Sequence, residues 1–136
     1  MAGNLSVVLS GVLQVTDIVL SPSQQIVTRS LNNPTLNVTV YSYTPFFQAA
    51  TTVTTVTLPA ATVYVVYVKN LSSANNLTVN FTPTGGSSQN VLLLSGASES
   101  GGIFLYFQTA ETGGGITALS LAAANATSPA EVFVAA

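Results

Sequence analysis

Charged side chains are almost absent from this chain. Only six of its 136 residues are charged, and they are Asp17, Arg29, Lys69, Glu99, Glu111 and Glu131. An ordinary soluble domain draws about a quarter of its residues from these types. Lys, Glu and Arg usually form the exposed faces of helices, whereas Val, Ile, Thr, Tyr and Phe, which are abundant here, favour strands. The composition therefore favours an all-β chain whose surface is neutral or covered by partners.

Short apolar runs separated by turn residues predict the strands. These runs span residues 5–9, 12–20, 25–30, 36–43, 52–58, 62–69, 77–82, 90–94, 103–109, 116–122 and 131–134. Their spacing of about 8–12 residues is typical of β-sandwiches and barrels. We predict one domain over residues 1–136, an antiparallel, jelly-roll-like β-sandwich of about 8–11 short strands. Residues 1–30 are interpreted as an edge or a partner-clamping arm of that domain.

Alternation separates strands with one apolar face from strands with two. In residues 77–82, Leu77, Val79 and Phe81 share one face and polar residues share the other, which indicates one buried and one solvated side. Residues 63–68 and 103–107 are apolar on both faces. Two interpretations stay open for them: central strands covered on both sides, or strands whose outer faces meet another subunit.

The residues that carry most enzyme chemistry are missing. The chain has no His and no Cys, so it lacks the usual general base of nucleophilic triads and the usual ligands of zinc and copper. Glu99 and Glu111 flank the predicted strand 103–109, and we expect them at its opposite ends, too far apart for a glycosidase pair. We therefore predict a protein that is not an enzyme, with no catalytic residues, no cofactor and no metal site.

Charge and hydropathy also limit the partners. A net charge of −2 with only two cations gives no basic patch for nucleic acid. No run approaches 18 consecutive apolar residues, because Ser, Thr, Asn or Gln interrupts each one, so we expect no membrane span. The N-terminus lacks a basic segment followed by an apolar one, and we expect no signal peptide.

Aromatic residues are the main candidates for an interface. Four of them surround the Thr44–Pro45 pair, and two more are expected on opposite faces of the strand at 62–69. They could bind sugars or anchor a protein partner, or Phe46 and Phe47 could instead close one end of the core. Residues 7–9 and 132–134 are candidate exposed sheet edges. The interface candidates are Tyr41, Tyr43, Phe46, Phe47, Tyr64, Tyr67, Val132 and Val134.

The second half of the chain carries a family resemblance. Its segments are YVKNLSSANNLTV at 67–79, GGITALSL at 114–121 and ANATSPAEVFV at 124–134. Together they resemble small β-sandwich virion proteins of tailed bacteriophages, which decorate capsids or form head and tail appendages. The resemblance implies a neutral, β-rich shell or appendage component, often trimeric, with no cofactor. Such proteins usually carry more charge, so decoration, minor capsid and fibre roles all stay open.

From these observations we expect a non-enzymatic virion structural protein, a capsid decoration (cement) subunit. Its expected partners are further copies of itself, as a trimer, and the major capsid or other virion proteins, in a particle assembled in the host cytoplasm. One alternative is a carbohydrate- or receptor-binding module of a phage appendage that uses Tyr41, Tyr43, Tyr64 and Tyr67. Another is a cell-surface filament subunit built by pairing strand edges.

Overall fold

A computed structural model describes residues 2–8, 10, 12–17, 22, 24–30, 35–97, 100–108 and 113–136. Within these residues the chain forms eleven strands. They are β1 (Ala2–Val8), β2 (Val12–Asp17), β3 (Gln24–Ser30), β4 (Thr35–Ala49), β5 (Thr54–Thr55), β6 (Val65–Asn70), β7 (Leu77–Pro83), β8 (Gln89–Leu93), β9 (Ile103–Phe107), β10 (Ile116–Ala123) and β11 (Ser128–Ala135). Each predicted run therefore contains a strand, although β5 is much shorter than the run at 52–58.

The strands form a jelly roll. One sheet has the order β1-β4-β11-β6-β9, a second has the order β5-β10-β7-β8, and β2 pairs with β3. The antiparallel pairs β7–β8, β6–β9, β5–β10 and β4–β11 are nested around the β7–β8 connection. This nesting is that of one long hairpin rolled into two sheets, which defines a jelly roll. The predicted all-β antiparallel sandwich is confirmed.

The two sheets bury one main core between them. The strands that line this core contribute alternate residues to it, because successive side chains of a strand point to opposite faces. β11 shows this alternation between buried and half-buried residues along most of its length. The largest fully buried side chains in this core are Leu77, Ile116, Leu121, Val63, Val66, Val68, Val79, Val132 and Val134. Each such side chain stabilises the fold by roughly 1.5–3 kcal/mol, in a chain that has no Cys.

A second, smaller apolar cluster lies on the opposite side of the five-stranded sheet. Val65 and Ala135 are cross-strand partners on β6 and β11, and both are fully or almost fully buried. They alternate with Val66 and Val134, whose side chains face the main core. This sheet is therefore partly covered on its outer side as well.

A β-bulge turns β4 toward this second cluster. The backbone N–H groups of Thr39 and Val40 both donate to the carbonyl oxygen of Ala136, at 2.9 and 3.2 Å. Two residues of β4 thus lie opposite the single residue Ala136. As a result, the alternation of β4 side chains between the two faces of the sheet shifts by one position. Leu36 and Val38, which precede the bulge, belong to the second cluster.

Pro45 lies inside β4, so the predicted end of this strand at residue 43 is wrong. The ladder with β11 passes from Thr44 opposite Val132 to Phe47 opposite Ala130. That step leaves one extra residue on β4. Proline, which has no N–H to donate, is tolerated at such an irregularity.

β11 is the middle strand of its sheet, between β4 and β6. The interpretation of residues 132–134 as an exposed edge is therefore wrong, because apolar alternation is the same in an edge strand and a central strand. Val7 and Val8 belong to β1, which does lie at the edge of the five-stranded sheet. Leu9 lies outside the described residues.

Candidate functional site

The outer face of the five-stranded sheet is predominantly apolar and aromatic. We call it the aromatic face, and it consists of Tyr41, Tyr43, Tyr67, Lys69, Ile103, Leu105, Phe107, Glu131 and Phe133. Its central row runs Tyr43, Phe133, Tyr67 and Leu105, each opposite the next on adjacent strands. Tyr43 is 52% exposed and Leu105 is 47% exposed. Exposed apolar side chains therefore lie at both ends of this row.

The charged residues of this face lie in the neighbouring row. Glu131 on β11 is opposite Lys69 on β6, and Lys69 is opposite Ile103 on β9. The Tyr43 hydroxyl donates to Glu131 Oε2 at 2.7 Å. This hydrogen bond, followed by desolvation and the negative charge of Glu131, raises the pKa of Tyr43 above its ordinary value of 10.0. Tyr43 therefore remains a neutral donor at physiological pH.

One concavity opens beside the aromatic face. Its volume is about 590 Å³, and it is lined by Tyr41, Ser42, Tyr43, Thr57, Leu58 and Pro59. The ring of Tyr41 also stacks on Phe133, with 6.2 Å between ring centroids. The lining combines aromatic surface with hydroxyl groups, and none of the described residues that form it is charged. Such a lining suits a neutral polyhydroxyl ligand or an apolar side chain of a partner.

The two adjacent phenylalanines predicted as candidates separate in the structure. Phe47 packs against the main core, as the core-closing interpretation requires. Among the described residues, Phe46 is the most exposed aromatic side chain, at 70%. Only Phe46 of this pair is accessible to a partner.

Four other candidates are buried or half-buried. Val132 and Val134 are 2% and 1% exposed and face the opposing sheet, so they are core residues of the monomer and are not available to a partner. Tyr64 is half-buried and packs against the second cluster. Tyr67 is also half-buried, and it lies in the central row of the aromatic face.

The outer face of the four-stranded sheet has a different chemistry. We call it the polar face, and it consists of Thr78, Asn80, Thr82, Ser88, Asn90, Leu92, Ala118, Ser120 and Ala122. Asn80 Nδ2 donates to Asn90 Oδ1 at 2.7 Å, and the Thr82 and Ser88 hydroxyls lie 2.9 Å apart. A shallow concavity of about 330 Å³ lies on this face. Neutral side chains thus bond to one another across strands β7 and β8.

Asn70 is a structural residue that the sequence analysis did not single out. Its side chain is fully buried, and its Nδ2 donates to the carbonyl oxygens of Asn75 and Leu93 at 3.0 and 3.1 Å. Its Oδ1 accepts the N–H of Ser72 at 3.0 Å. The Asn-Leu-Ser-Ser sequence of this turn is typical of such a local bond, but the long-range contact to β8 has no local signal.

Within the described ranges, no group of three or more His, Cys, Asp or Glu side chains lies close enough together to hold a metal ion. Glu99 and Glu111 lie outside those ranges, so the expected positions at opposite ends of β9 stay a prediction. In the part of the chain that the structure describes, no helix has the length and apolar character needed to span a bilayer.

No protein-family model, curated protein or solved structure matches this chain.

Proposed function

We propose that this chain is a non-catalytic structural subunit of a virus particle, a capsid decoration protein that binds neighbouring shell subunits through its aromatic face. The observation that carries the proposal is the exposure of Tyr43, Ile103 and Leu105 on one sheet face. Lys69 and Glu131 are the charged residues of that face. Apolar surface with so little charge is characteristic of lasting contact with protein.

The free energy of binding would come from burial of the exposed apolar surface, because that gain is proportional to the area removed from water. Ile103 is 55% exposed and Leu105 is 47% exposed, so each retains about half of its apolar surface for contact with a partner. Covering that surface would contribute on the order of 1 kcal/mol per residue. Aromatic side chains such as Tyr43 are frequent anchors of interfaces. A partner of matching shape gains stability from this face without needing a charge pattern.

The fold is compatible with the proposal. Jelly rolls form viral capsid and lectin domains, although fold alone does not assign a function. The partners we propose are further copies of this chain, in the trimeric form that the phage resemblance implies, and the major capsid or other virion proteins. The location is then the virion, assembled in the host cytoplasm.

The test is co-sedimentation of the full chain with capsids assembled from the major capsid protein of the same genome. The Tyr43→Ser/Leu105→Ser double variant should bind at least about tenfold more weakly, because it removes two anchors of the aromatic face. The matched control is Val53→Ser/Leu92→Ser, which changes two residues that are 71% and 58% exposed elsewhere on the molecule. Equal binding by both double variants, or no binding by the unaltered chain, would contradict the proposal.

A second candidate function is saccharide binding in the concavity beside Tyr41 and Tyr43, which is favoured by its neutral aromatic and hydroxyl lining. Tyr43→Ala should abolish binding on a glycan array. Phe46→Ala, an exposed aromatic residue that does not line the concavity, should leave binding unchanged. If the unaltered chain binds no glycan on the array, this second function is ruled out.

The third alternative, a cell-surface filament subunit, differs in symmetry. Electron microscopy of the purified chain should show closed oligomers for a decoration protein and open fibres for a filament.

A further inference from the structure

β9 is the last strand of the five-stranded sheet, on the side opposite β1. Its sequence, IFLYF, contains no charged residue and no proline. Its pairing with β6 runs without a register shift. Natural edge strands usually carry a charge, a proline or a bulge that prevents pairing with another chain. β9 has none of these features.

The hydrogen bonds at both ends of β9 define which backbone groups face β6. Before the strand, the N–H of Asn70 donates to the Gly102 carbonyl oxygen at 3.0 Å. After the strand, the N–H of Gln108 donates to the Tyr64 carbonyl oxygen, also at 3.0 Å. The Gly102 carbonyl and the Gln108 N–H therefore both point toward the β6 side.

Alternation then assigns the residues between them. In an antiparallel ladder every second residue bonds to a given neighbour, so Phe104 and Tyr106 direct their N–H and C=O groups to β6. The N–H and C=O groups of Ile103, Leu105 and Phe107 point to the other side. Among the described strands, none pairs with that side of β9.

We propose that β9 pairs antiparallel with β9 of a second copy of this chain, around a two-fold axis at Leu105. Leu105 then exchanges both backbone hydrogen bonds with Leu105 of the second copy. Ile103 does the same with Phe107 of the second copy. This two-fold contact is additional to the trimeric contact of the proposed function, and it joins two five-stranded sheets into one continuous sheet.

The side-chain pattern of β9 favours a second copy over an unrelated partner. An antiparallel two-fold pairing places each residue opposite its mirror position in the same sequence. On the aromatic face, Ile103 then lies opposite Phe107, and Leu105 lies opposite Leu105. On the core side, Phe104 lies opposite Tyr106. Every pair is apolar or aromatic, which is favourable across strands, and no two like charges meet.

The flank next to β9 adds apolar surface to this junction. β8 lies beside β9 along the same side of the sandwich. The N–H of Gly102 donates to the Leu94 carbonyl oxygen at 2.9 Å, which holds Leu94 close to the start of β9. The Leu94 side chain is 59% exposed. The dimer contact is nevertheless small, so we expect micromolar association.

Cysteine cross-linking tests the register directly, because the chain has no Cys of its own. In the proposed dimer the two Cα atoms of residue 105 lie about 5.5 Å apart, within the range of a disulfide. Leu105→Cys should therefore form a covalent dimer under mild oxidation. The matched control is Ile103→Cys, because its two copies lie roughly 13 Å apart, four residue steps along the strand, and should stay uncrosslinked.

A proline pair tests the hydrogen bonds. Leu105→Pro removes an N–H that points away from β6, so the monomer should keep its fold. The dimer should dissociate with a constant on the order of 30-fold higher, since two intermolecular bonds are lost. Tyr106→Pro removes an N–H that bonds to β6 and should destabilise the monomer itself. Leu105→Lys, which places two cations opposite each other, is the second dimer-breaking variant if the proline variant does not fold.

The outcomes separate this proposal from the proposed function. Cross-linking of Ile103→Cys as readily as Leu105→Cys, or an unchanged dissociation constant for folded Leu105→Pro, overturns β9 pairing. If Leu105→Cys binds capsids or forms trimers but does not cross-link at residue 105, β9 pairing is wrong and the proposed function is unaffected. A dimer that cross-links as expected but never binds capsids supports β9 pairing and overturns the capsid role.

Discussion

The two outer faces of this sandwich differ although the two inner faces are alike. Both inner faces are apolar: the five-stranded sheet directs mainly Val into the shared core, and the four-stranded sheet directs Leu, Ile and Val. On the polar face, β7 and β8 are linked by the Asn80–Asn90 and Thr82–Ser88 side-chain hydrogen bonds. On the aromatic face, the corresponding cross-strand row consists of large apolar and aromatic residues.

This difference shows how a chain with so few charges can present one polar and one apolar outer surface. Neutral hydroxyl and amide groups of the polar face bond to one another across strands. The aromatic face has few polar groups, among them the Tyr43 hydroxyl, which donates to Glu131. A surface of that kind gains free energy when protein covers it.

The difference begins in the local sequence. β7 alternates apolar and polar residues along LTVNFT, whereas β9, IFLYF, has apolar residues at every position. The outer face of β7 is therefore polar, whereas the outer face of β9 is apolar.

The core beneath both faces should dominate stability. Leu77→Ala removes a fully buried side chain between the sheets and should lower the free energy of unfolding by about 3 kcal/mol. The control is Leu92→Ala on the polar face, where the side chain is 58% exposed and the loss should stay within about 0.5 kcal/mol. Urea denaturation measures both. Similar losses for the two variants would mean that Leu77 is not in a packed core.

A buried amide should matter more than an exposed one. Asn70→Ala removes three side-chain hydrogen bonds and leaves buried backbone groups without partners, so we expect a loss of about 2–3 kcal/mol. Asn90→Ala, which removes one exposed bond on the polar face, should cost less than about 0.5 kcal/mol. Thermal unfolding of both variants measures the two losses of stability. A larger loss for Asn90→Ala than for Asn70→Ala would contradict the prediction.

The aromatic face should contribute to the stability of the monomer, and the polar face should contribute little. Phe133→Ala removes a half-buried ring that stacks on Tyr41, with an expected loss of about 1–2 kcal/mol. Thr78→Ala on the polar face is the comparison, with a change within about 0.5 kcal/mol. Chemical denaturation at a concentration that keeps the chain monomeric distinguishes them, and equal small changes would indicate that the second cluster adds no stability.

Tyr43 gives the smallest effect, visible only at alkaline pH. Its pKa is raised in the folded chain, so the folded state favours the neutral phenol. The resulting stabilisation is fully present below the unfolded pKa of 10.0 and is lost as pH rises through the folded pKa. The difference between the alkaline absorbance titrations of the unaltered chain and Tyr43→Phe should have its midpoint above 10.0.

Glu131→Gln is the control for that titration, because it keeps an acceptor in place and removes the negative charge. It should move the Tyr43 midpoint back toward 10.0. An unchanged midpoint in this variant would assign the shift to burial instead of to the Tyr43–Glu131 contact.

The sequence predicted most of the local structure and little of the site. The strands and their inward residues, such as Leu77 and Val79, follow from alternation. The pairing of Tyr43 with Glu131 does not, because the two residues are 88 positions apart. Phe46 and Phe47 also could not be distinguished, since the irregularity at Pro45 that orients them depends on the ladder with β11.

The sequence by itself determined that the chain is all-β, neutral and alternately apolar, because side-chain direction in a strand repeats every two residues and is a local property. Only the tertiary structure decided that β11 is central, that β9 is an edge, and that Tyr43, Phe133 and Tyr67 share one face. These features depend on which strands become neighbours. The neighbours of each strand are set by the nested pairing of segments that are far apart in the sequence. Local sequence patterns carry no information about that pairing.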